Sequence, residues 1–160
     1  MGLFAFIKEA GEKLFGTGTA SAATPAADPA AANAKAAEAI HNYILALKLA
    51  PADLGVSFDA TQSLVTITGT APDQATREKI MLAAGNVAGV AEVENRMSVA
   101  RPEPEAQFHT VVRGDTLSAI AKKFYGNANQ YMVIFEANKP MLSHPDKIYP
   151  GQVLRIPPQA

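Results

Sequence analysis

Few side chains in this sequence are of a type and spacing that could carry chemistry. Cysteine is absent, which excludes a disulfide framework, a thiolate metal site and a cysteine nucleophile. His41, His109 and His144 have no motif spacing with one another or with carboxylates, so we expect no transition-metal site. Glu92 and Glu94 alternate with apolar residues and are spaced as solubilising charges rather than as an acid–base pair. We therefore predict that the protein is not an enzyme.

The composition excludes further classes of function. The chain has 160 residues, of which 48% are hydrophobic and 18% charged, with a formal net charge of −1. That is too hydrophobic for a disordered chain. A balanced charge also argues against a nucleic-acid partner or a polybasic membrane contact, because both need clustered Lys and Arg. We expect a soluble, folded protein.

The N-terminal segment has helical spacing. Leu3, Ile7, Ala10 and Leu14 predict a short amphipathic helix, for which docking on a domain and membrane-surface binding are the two alternatives. The second is weakened by the absence of a basic face. The apolar run ahead of Lys8 is shorter than the core of a signal peptide. We therefore expect a cytoplasmic protein without a membrane partner.

Composition shifts divide the chain into two small modules. We predict an N-terminal helical segment at 1–16, an Ala/Pro-rich linker at 17–33, a first module at 34–100, a short linker at 101–107 and a second module at 108–157. Domains of this size bury only about 60% of their unfolded surface. Each module is marginal alone, so docking or a bound ligand would add stability.

The first module has the order αββαβ, with two helices on one face of a small sheet. A first helix ends at Pro51, a hairpin turns between Phe58 and Val65, and the pair Thr70 and Asp73 starts a second helix. An alternating strand from Ala91 to Val99 completes it. With Gly69 and the Gly89-Val90 pair, this order resembles the BON domain. That resemblance implies a module that binds phospholipid or partner proteins, without catalytic apparatus.

The second module has the order βααβ, which makes the chain α+β. A strand at 108–111 leads through Gly114-Asp-Thr-Leu117 into a helix with Gly126 as its C-cap, and Asn129 is predicted to cap a second helix. The second module resembles a LysM domain. The resemblance rests on these residues, together with Glu136-Ala-Asn138 and Ile148-Tyr-Pro-Gly-Gln-Val-Leu-Arg-Ile-Pro157.

The LysM resemblance implies binding of N-acetylglucosamine-containing glycans such as peptidoglycan, in a shallow groove between two loops. Maintenance of the fold remains the alternative role for these residues, since a turn, a helix cap and a small core need the same types. The glycan-contacting residues implied are Gly114, Asp115, Thr116 and Leu117 on one side, with Asn138, Met141, Leu142 and Ile148 on the other.

One BON-like module is followed by one LysM-like module, and both come after the segments Met1-Gly-Leu-Phe4 and Ala10-Gly-Glu-Lys-Leu14. This arrangement resembles the bacterial cytoplasmic potassium-binding BON–LysM proteins. Potassium needs several uncharged oxygens, which backbone carbonyls at helix C-termini provide. Ordinary capping and turn roles for Gly85 and Gly89 remain the alternative. By matching position, the resemblance implies potassium ligands at the main-chain carbonyls of Ile7, Ala10, Glu12, Gly85, Val87 and Val90, with no organic cofactor.

Two functions follow from these resemblances. The first is a monomeric cytoplasmic potassium sensor or buffer that becomes more compact and stable when the ion binds. The second is a peptidoglycan-binding protein of the cell envelope. The LysM module could also hold a protein partner.

Overall fold

The computed structural model describes residues 2–5, 29–87, 89–104, 106–139 and 141–158. The first helix–strand unit has the predicted αββαβ order. It is preceded by one more strand, β1, at Gly2–Ala5. Its elements are α1 at Pro29–Ala46, β2 at Gly55–Asp59, β3 at Leu64–Asp73, α2 at Gln74–Gly85 and β4 at Glu92–Arg101.

A four-stranded sheet with the order β1-β4-β3-β2 forms the base of this unit. The central pair, β3 and β4, is parallel, with Val65 opposite Val93, and the other two pairs are antiparallel. One apolar cluster joins both helices to the sheet, so the helices share a face of it as expected. Its fully buried members include Ile40, Ile44, Val65, Ile67, Ile80, Ala84, Val87, Val90 and Val93.

The prediction of an N-terminal helix is wrong for the residues that the structure describes there. Gly2–Ala5 is a strand, and it pairs antiparallel with Glu92–Asn95 along the free edge of β4. A short apolar run fits a strand as well as a helix, and pairing supplies partners for the backbone groups of an exposed edge. Ile7, Ala10 and Leu14 of the predicted helix lie outside the described residues.

Other helices also begin at positions that differ from the prediction. Residue Thr70 remains in β3 opposite Ser98, and α2 begins only after Asp73, which is its N-cap. In the second unit the cap predicted at Asn129 is wrong, because the helix at Tyr131–Ala137 begins after Gln130 without a side-chain cap. Asn127 instead caps the preceding 3₁₀ turn at Ala128–Gln130, where its Oδ1 accepts from the Asn129 N–H. Helix α1 begins at Pro29, within the predicted linker, where proline suits the first helical turn.

The second unit has the predicted βααβ order. It consists of β5 at Gln107–Thr110, α3 at Leu117–Tyr125, a 3₁₀ turn at Ala128–Gln130, α4 at Tyr131–Ala137 and β6 at Val153–Ile156. Strands β5 and β6 are antiparallel, and Gly126 ends α3 in the left-handed conformation (φ 73°), as predicted. The buried cluster here includes Leu117, Ile120, Ala121, Ile134, Leu142 and Leu154.

No helix within the described ranges is both long and apolar enough to cross a membrane.

Candidate functional site

The loop that follows α2 contains three of the predicted potassium ligands. Helix α2 ends at Gly85, and the Asn86 N–H donates to the Leu82 carbonyl at 2.8 Å. The Val90 N–H donates to the Val87 carbonyl at 3.1 Å, which closes a tight turn. Gly89 has φ of 103°, a conformation that strains any other residue type. The three predicted ligands Gly85, Val87 and Val90 thus lie on one short, tightly turned segment.

The burial and electrostatics of this loop suit a neutral oxygen cage. The side chains of Val87 and Val90 are fully buried, and Gly85 is buried as well. The carbonyls at the C-terminus of α2 carry the partial negative charge of the helix dipole. A carbonyl oxygen has two lone pairs, so the Val87 oxygen retains acceptor capacity beyond the Val90 N–H. The loop therefore carries neutral oxygens on buried residues, which is the type of ligand that the potassium prediction requires.

The far end of the loop is fixed to the residue before β3, on the side of β4 opposite β1. The Ser63 carbonyl accepts from the Ala91 and Glu92 N–H groups at 2.8 and 3.2 Å. Strand β1 runs towards this point, because its last residue, Ala5, lies opposite Glu92. The predicted ligands Ile7, Ala10 and Glu12 follow in sequence but lie outside the described residues.

Side chains do not supply an alternative metal centre in the described part of the chain. No group of three or more His, Asp or Glu residues there is arranged to hold an ion. His109 instead contacts Asp115, with 2.8 Å between Nε2 and Oδ2. The ligands predicted from the sequence are main-chain carbonyls, whereas carboxylate-rich sites favour divalent ions.

Asn86, which sequence reasoning missed, ties this loop to the second unit. Its Nδ2 donates to the Val153 carbonyl at 2.8 Å, and its Oδ1 accepts from the Val153 N–H at 2.9 Å. The two residues are 67 positions apart. Nothing in the local sequence distinguishes this asparagine from an ordinary helix-end residue, so spacing could not have found the contact.

A buried ion pair also joins the two units. The Arg155 Nε donates to Glu78 Oε1 at 2.6 Å, and the side chains are only 10% and 4% exposed. The other carboxylate oxygen of Glu78 accepts from Gln74 Nε2 at 2.9 Å and from the Ala106 N–H at 3.0 Å. Met141 packs against the first unit's core. The two units therefore share a buried, hydrogen-bonded interface.

A separate cleft of about 460 Å³ lies on the second unit. Thr116 and Leu117, both predicted glycan contacts, line it. Sequence reasoning missed its other lining residues, although the loop after α4 was the signal that could have indicated some of them. These residues are Ser118, Tyr131, His144, Pro145 and Asp146.

Two more predicted glycan contacts belong to the turn before α3. Gly114 is exposed with φ of 93°, and Asp115 Oδ2 accepts from the Val112 N–H at 3.0 Å. This bond, followed by the one to His109, holds the pKa of Asp115 below its ordinary value. Thr116 caps α3 by accepting from the Ala119 N–H.

The remaining predicted contacts are not among the residues that line the cleft: Asn138 and Leu142 are buried, and Met141 and Ile148 are partly buried. Asn138 is 2% exposed, and its amide bonds to the backbone of Ile134 and Arg155. Leu142 belongs to the second core and Ile148 packs against it, whereas Met141 packs against the first core. Their role as glycan contacts therefore stays a prediction, beside the packing and backbone contacts that the structure gives them.

This fold and these sites define a protein in which a BON domain is followed by a LysM domain. The BON domain family model matches residues 32–101, and the LysM domain family model matches residues 109–157. Together the matches account for both units.

The whole chain is similar to the potassium binding protein Kbp of Escherichia coli O6:H1, and it belongs to the same BON–LysM family. The two are 46% identical over 157 residues, which is 98% of this chain and 99% of the relative. Shorter similarities extend to an uncharacterized protein of Deinococcus radiodurans, 49% identical over 31% of this chain and 19% of the relative. An esterase of Mycobacterium tuberculosis is 47% identical over 33% of this chain and 11% of the relative.

Proposed function

We propose that this protein binds potassium through main-chain carbonyls of Ile7, Ala10, Glu12, Gly85, Val87 and Val90. The observation that carries the proposal is the buried, tightly turned loop after α2, which leads into Glu92, the residue opposite Ala5 at the end of β1. Whole-length similarity to a potassium binding protein supports the same assignment.

Potassium suits this loop better than a smaller or more highly charged ion. A dehydrated potassium ion needs several neutral oxygens, and carbonyls at a helix C-terminus supply them without adding formal charge. Full carboxylates would instead favour divalent ions. The ligands described so far are neutral and come from one turn, so a second segment is needed to complete the shell.

The N-terminal segment supplies that second set of ligands, and this gives the protein its response. The ion ties the N-terminal chain to the BON domain and so produces a more compact and stable monomer that senses or buffers cytoplasmic potassium. At a concentration 100 times the Kd, binding would add about 2.7 kcal/mol to the free energy of unfolding. That is a large share of the free energy of unfolding of a small domain.

Thermal unfolding of the chain in potassium and in sodium, at matched ionic strength, tests this proposal. We expect a higher Tm in potassium. Deletion of residues 6–12, which leaves strand β1 at Gly2–Ala5 in place, should abolish the difference between the two salts while both domains stay folded. Equal midpoints for the full chain would refute potassium binding, and a potassium-specific shift retained by the deletion variant would refute the N-terminal ligands.

The cleft on the LysM domain favours a second function, the binding of an N-acetylglucosamine-containing glycan. It offers an aromatic ring, Tyr131, beside hydroxyl groups from Thr116 and Ser118. Sedimentation with insoluble peptidoglycan tests this, with Tyr131→Ala as the cleft variant and the exposed neighbour Met132→Ala as its control. Loss of sedimentation in Y131A alone would support glycan binding, and no sedimentation of the wild type would exclude it. We propose that neither function involves catalysis.

A further inference from the structure

The outer edge of β6 is completed by two asparagine side chains. Leu154 and its neighbours pair with β5 on one side, which leaves the N–H and carbonyl groups of Val153 and Arg155 on the other. Asn138 bonds both groups of Arg155, at 2.8 and 2.9 Å. Asn86 bonds both groups of Val153, at 2.9 and 2.8 Å. Each asparagine amide makes the two hydrogen bonds that the backbone of a neighbouring strand would otherwise make.

These two amides come from different domains. Asn138 follows α4 and belongs to the LysM domain, so its bonds to Arg155 are internal to that domain. Asn86 is the C-cap of α2 in the BON domain, so Val153 gains its partner only on docking. On this edge, the hydrogen bonds of Arg155 are therefore internal to the LysM domain, whereas those of Val153 depend on the BON domain.

Asn86 also lies between two proposed potassium ligands in the sequence, Gly85 and Val87. Its backbone N–H fixes the end of α2 on Leu82, and its side chain fixes the same residue on Val153. A change in the backbone at Gly85 or Val87 can therefore reach the contact with β6 through Asn86, and a change at β6 can reach these two residues by the same route.

We propose that Asn86 is a positioning residue that couples the potassium site to the docking of LysM strand β6. This rests on the proposed function, because it assigns a control element to that same site. The docked β6 holds Asn86 so that the carbonyls of Gly85 and Val87 face the ion. By linkage, ion binding must strengthen the Asn86–Val153 contact by the same factor.

Potassium titration of the wild-type chain, Asn86→Ala and the exposed BON-domain control Asn42→Ala measures this coupling. Asn86 has φ of −83°, so alanine fits its backbone without strain. Couplings of this kind are about 5- to 150-fold. We expect the Kd of N86A to rise about tenfold and that of N42A to stay unchanged. A Kd for N86A within about twofold of the wild type would overturn the coupling.

Amide hydrogen exchange in the wild-type chain gives a readout that needs no variant to fold. Potassium, compared with sodium, should slow exchange of the Val153 amide, which Asn86 holds from the BON domain. The Arg155 amide, which Asn138 holds within LysM, is the matched internal control and should change less. Equal effects on the two amides, or none on Val153 despite potassium binding, would contradict the proposal.

The two proposals fail in distinguishable ways. A wild-type chain that shows no potassium-specific titration refutes the ion site and the coupling together. A wild-type chain that binds potassium, with N86A binding equally well and Val153 exchange unchanged, refutes the coupling alone.

Discussion

Asp73 shows how one side chain sets the boundary of an element. It ends β3, and its Oδ1 accepts from the Thr76 N–H at 2.8 Å, which starts α2. The hydrogen bonds from Thr76, and then the charge of Arg101, hold the pKa of Asp73 below its ordinary value of 3.8. The folded state therefore favours the ionised form. This contribution to stability is present above pH 3.8 and is lost as the pH falls through the folded pKa.

Replacement of Asp73 by alanine should lower the free energy of unfolding by about 1 kcal/mol at pH 7, because α2 loses its N-cap. Asp73→Asn keeps a capping oxygen and should lose less. Urea unfolding at several pH values measures both. The difference between wild type and D73A should shrink as the pH falls below 3.8, and a difference that stays constant would show that the ionised carboxylate contributes nothing.

Asn138 is the residue for which the two predicted roles can be separated most clearly. Its buried amide satisfies both backbone groups of Arg155 and the Ile134 carbonyl. Alanine would leave these groups without a partner, at about 1–3 kcal/mol for each that stays buried. We expect N138A to destabilise the LysM domain in urea unfolding. A stable N138A that has lost only glycan binding would show instead that Asn138 is a glycan contact.

At the scale of elements, α2 is shared between the two domains. Its buried face closes the BON core through Ile80, while Glu78 reaches Arg155 of β6 and the backbone of Ala106. Burial of an ion pair stabilises a protein only when the remaining groups are also bonded. Both carboxylate oxygens of Glu78 are bonded, so the helix and β6 form one packed unit.

Removal of the Glu78 charge alone should be costly, because it leaves Arg155 buried without its counter-charge. We expect Glu78→Gln to lower the free energy of unfolding by about 3 kcal/mol in chemical denaturation. The double variant Glu78→Leu with Arg155→Met should recover part of that loss, since an apolar pair needs no counter-charge. Recovery is incomplete because the Ala106 N–H loses its acceptor on Glu78. Strictly additive losses would show that the pair is not coupled.

The order of elements in each domain could be predicted because periodicity is local. Alternation along β4 and helical spacing in α1 indicate burial on one face whatever the partner is. The N-terminal strand could not be predicted this way, because four apolar residues satisfy either period and only the free edge of β4 selects a strand. The predicted start of α2 at Thr70 was wrong for a similar reason, because Thr70 stays in β3 opposite Ser98, which lies far along the chain.

At the scale of the whole molecule, the docking of the two domains was the part that sequence could not reveal. Glu78 and Arg155 are 77 positions apart, and each resembles a solvated charge in its own element. Asn86 likewise resembles an ordinary helix end. The glycines at 85 and 89 indicated a turned loop after α2, whereas the partner of that loop on β6 depends on tertiary packing alone.

In the proposed potassium site, main-chain carbonyls of the loop after α2 hold the ion. Carbonyl ¹³C chemical shifts of Gly85, Val87 and Val90, followed while potassium replaces sodium at constant ionic strength, test it most directly. We predict saturable, potassium-specific shifts at these three carbons with one common Kd, and smaller changes at exposed carbonyls of α1. Shifts that do not saturate, or that sodium reproduces, would contradict potassium binding at these carbonyls.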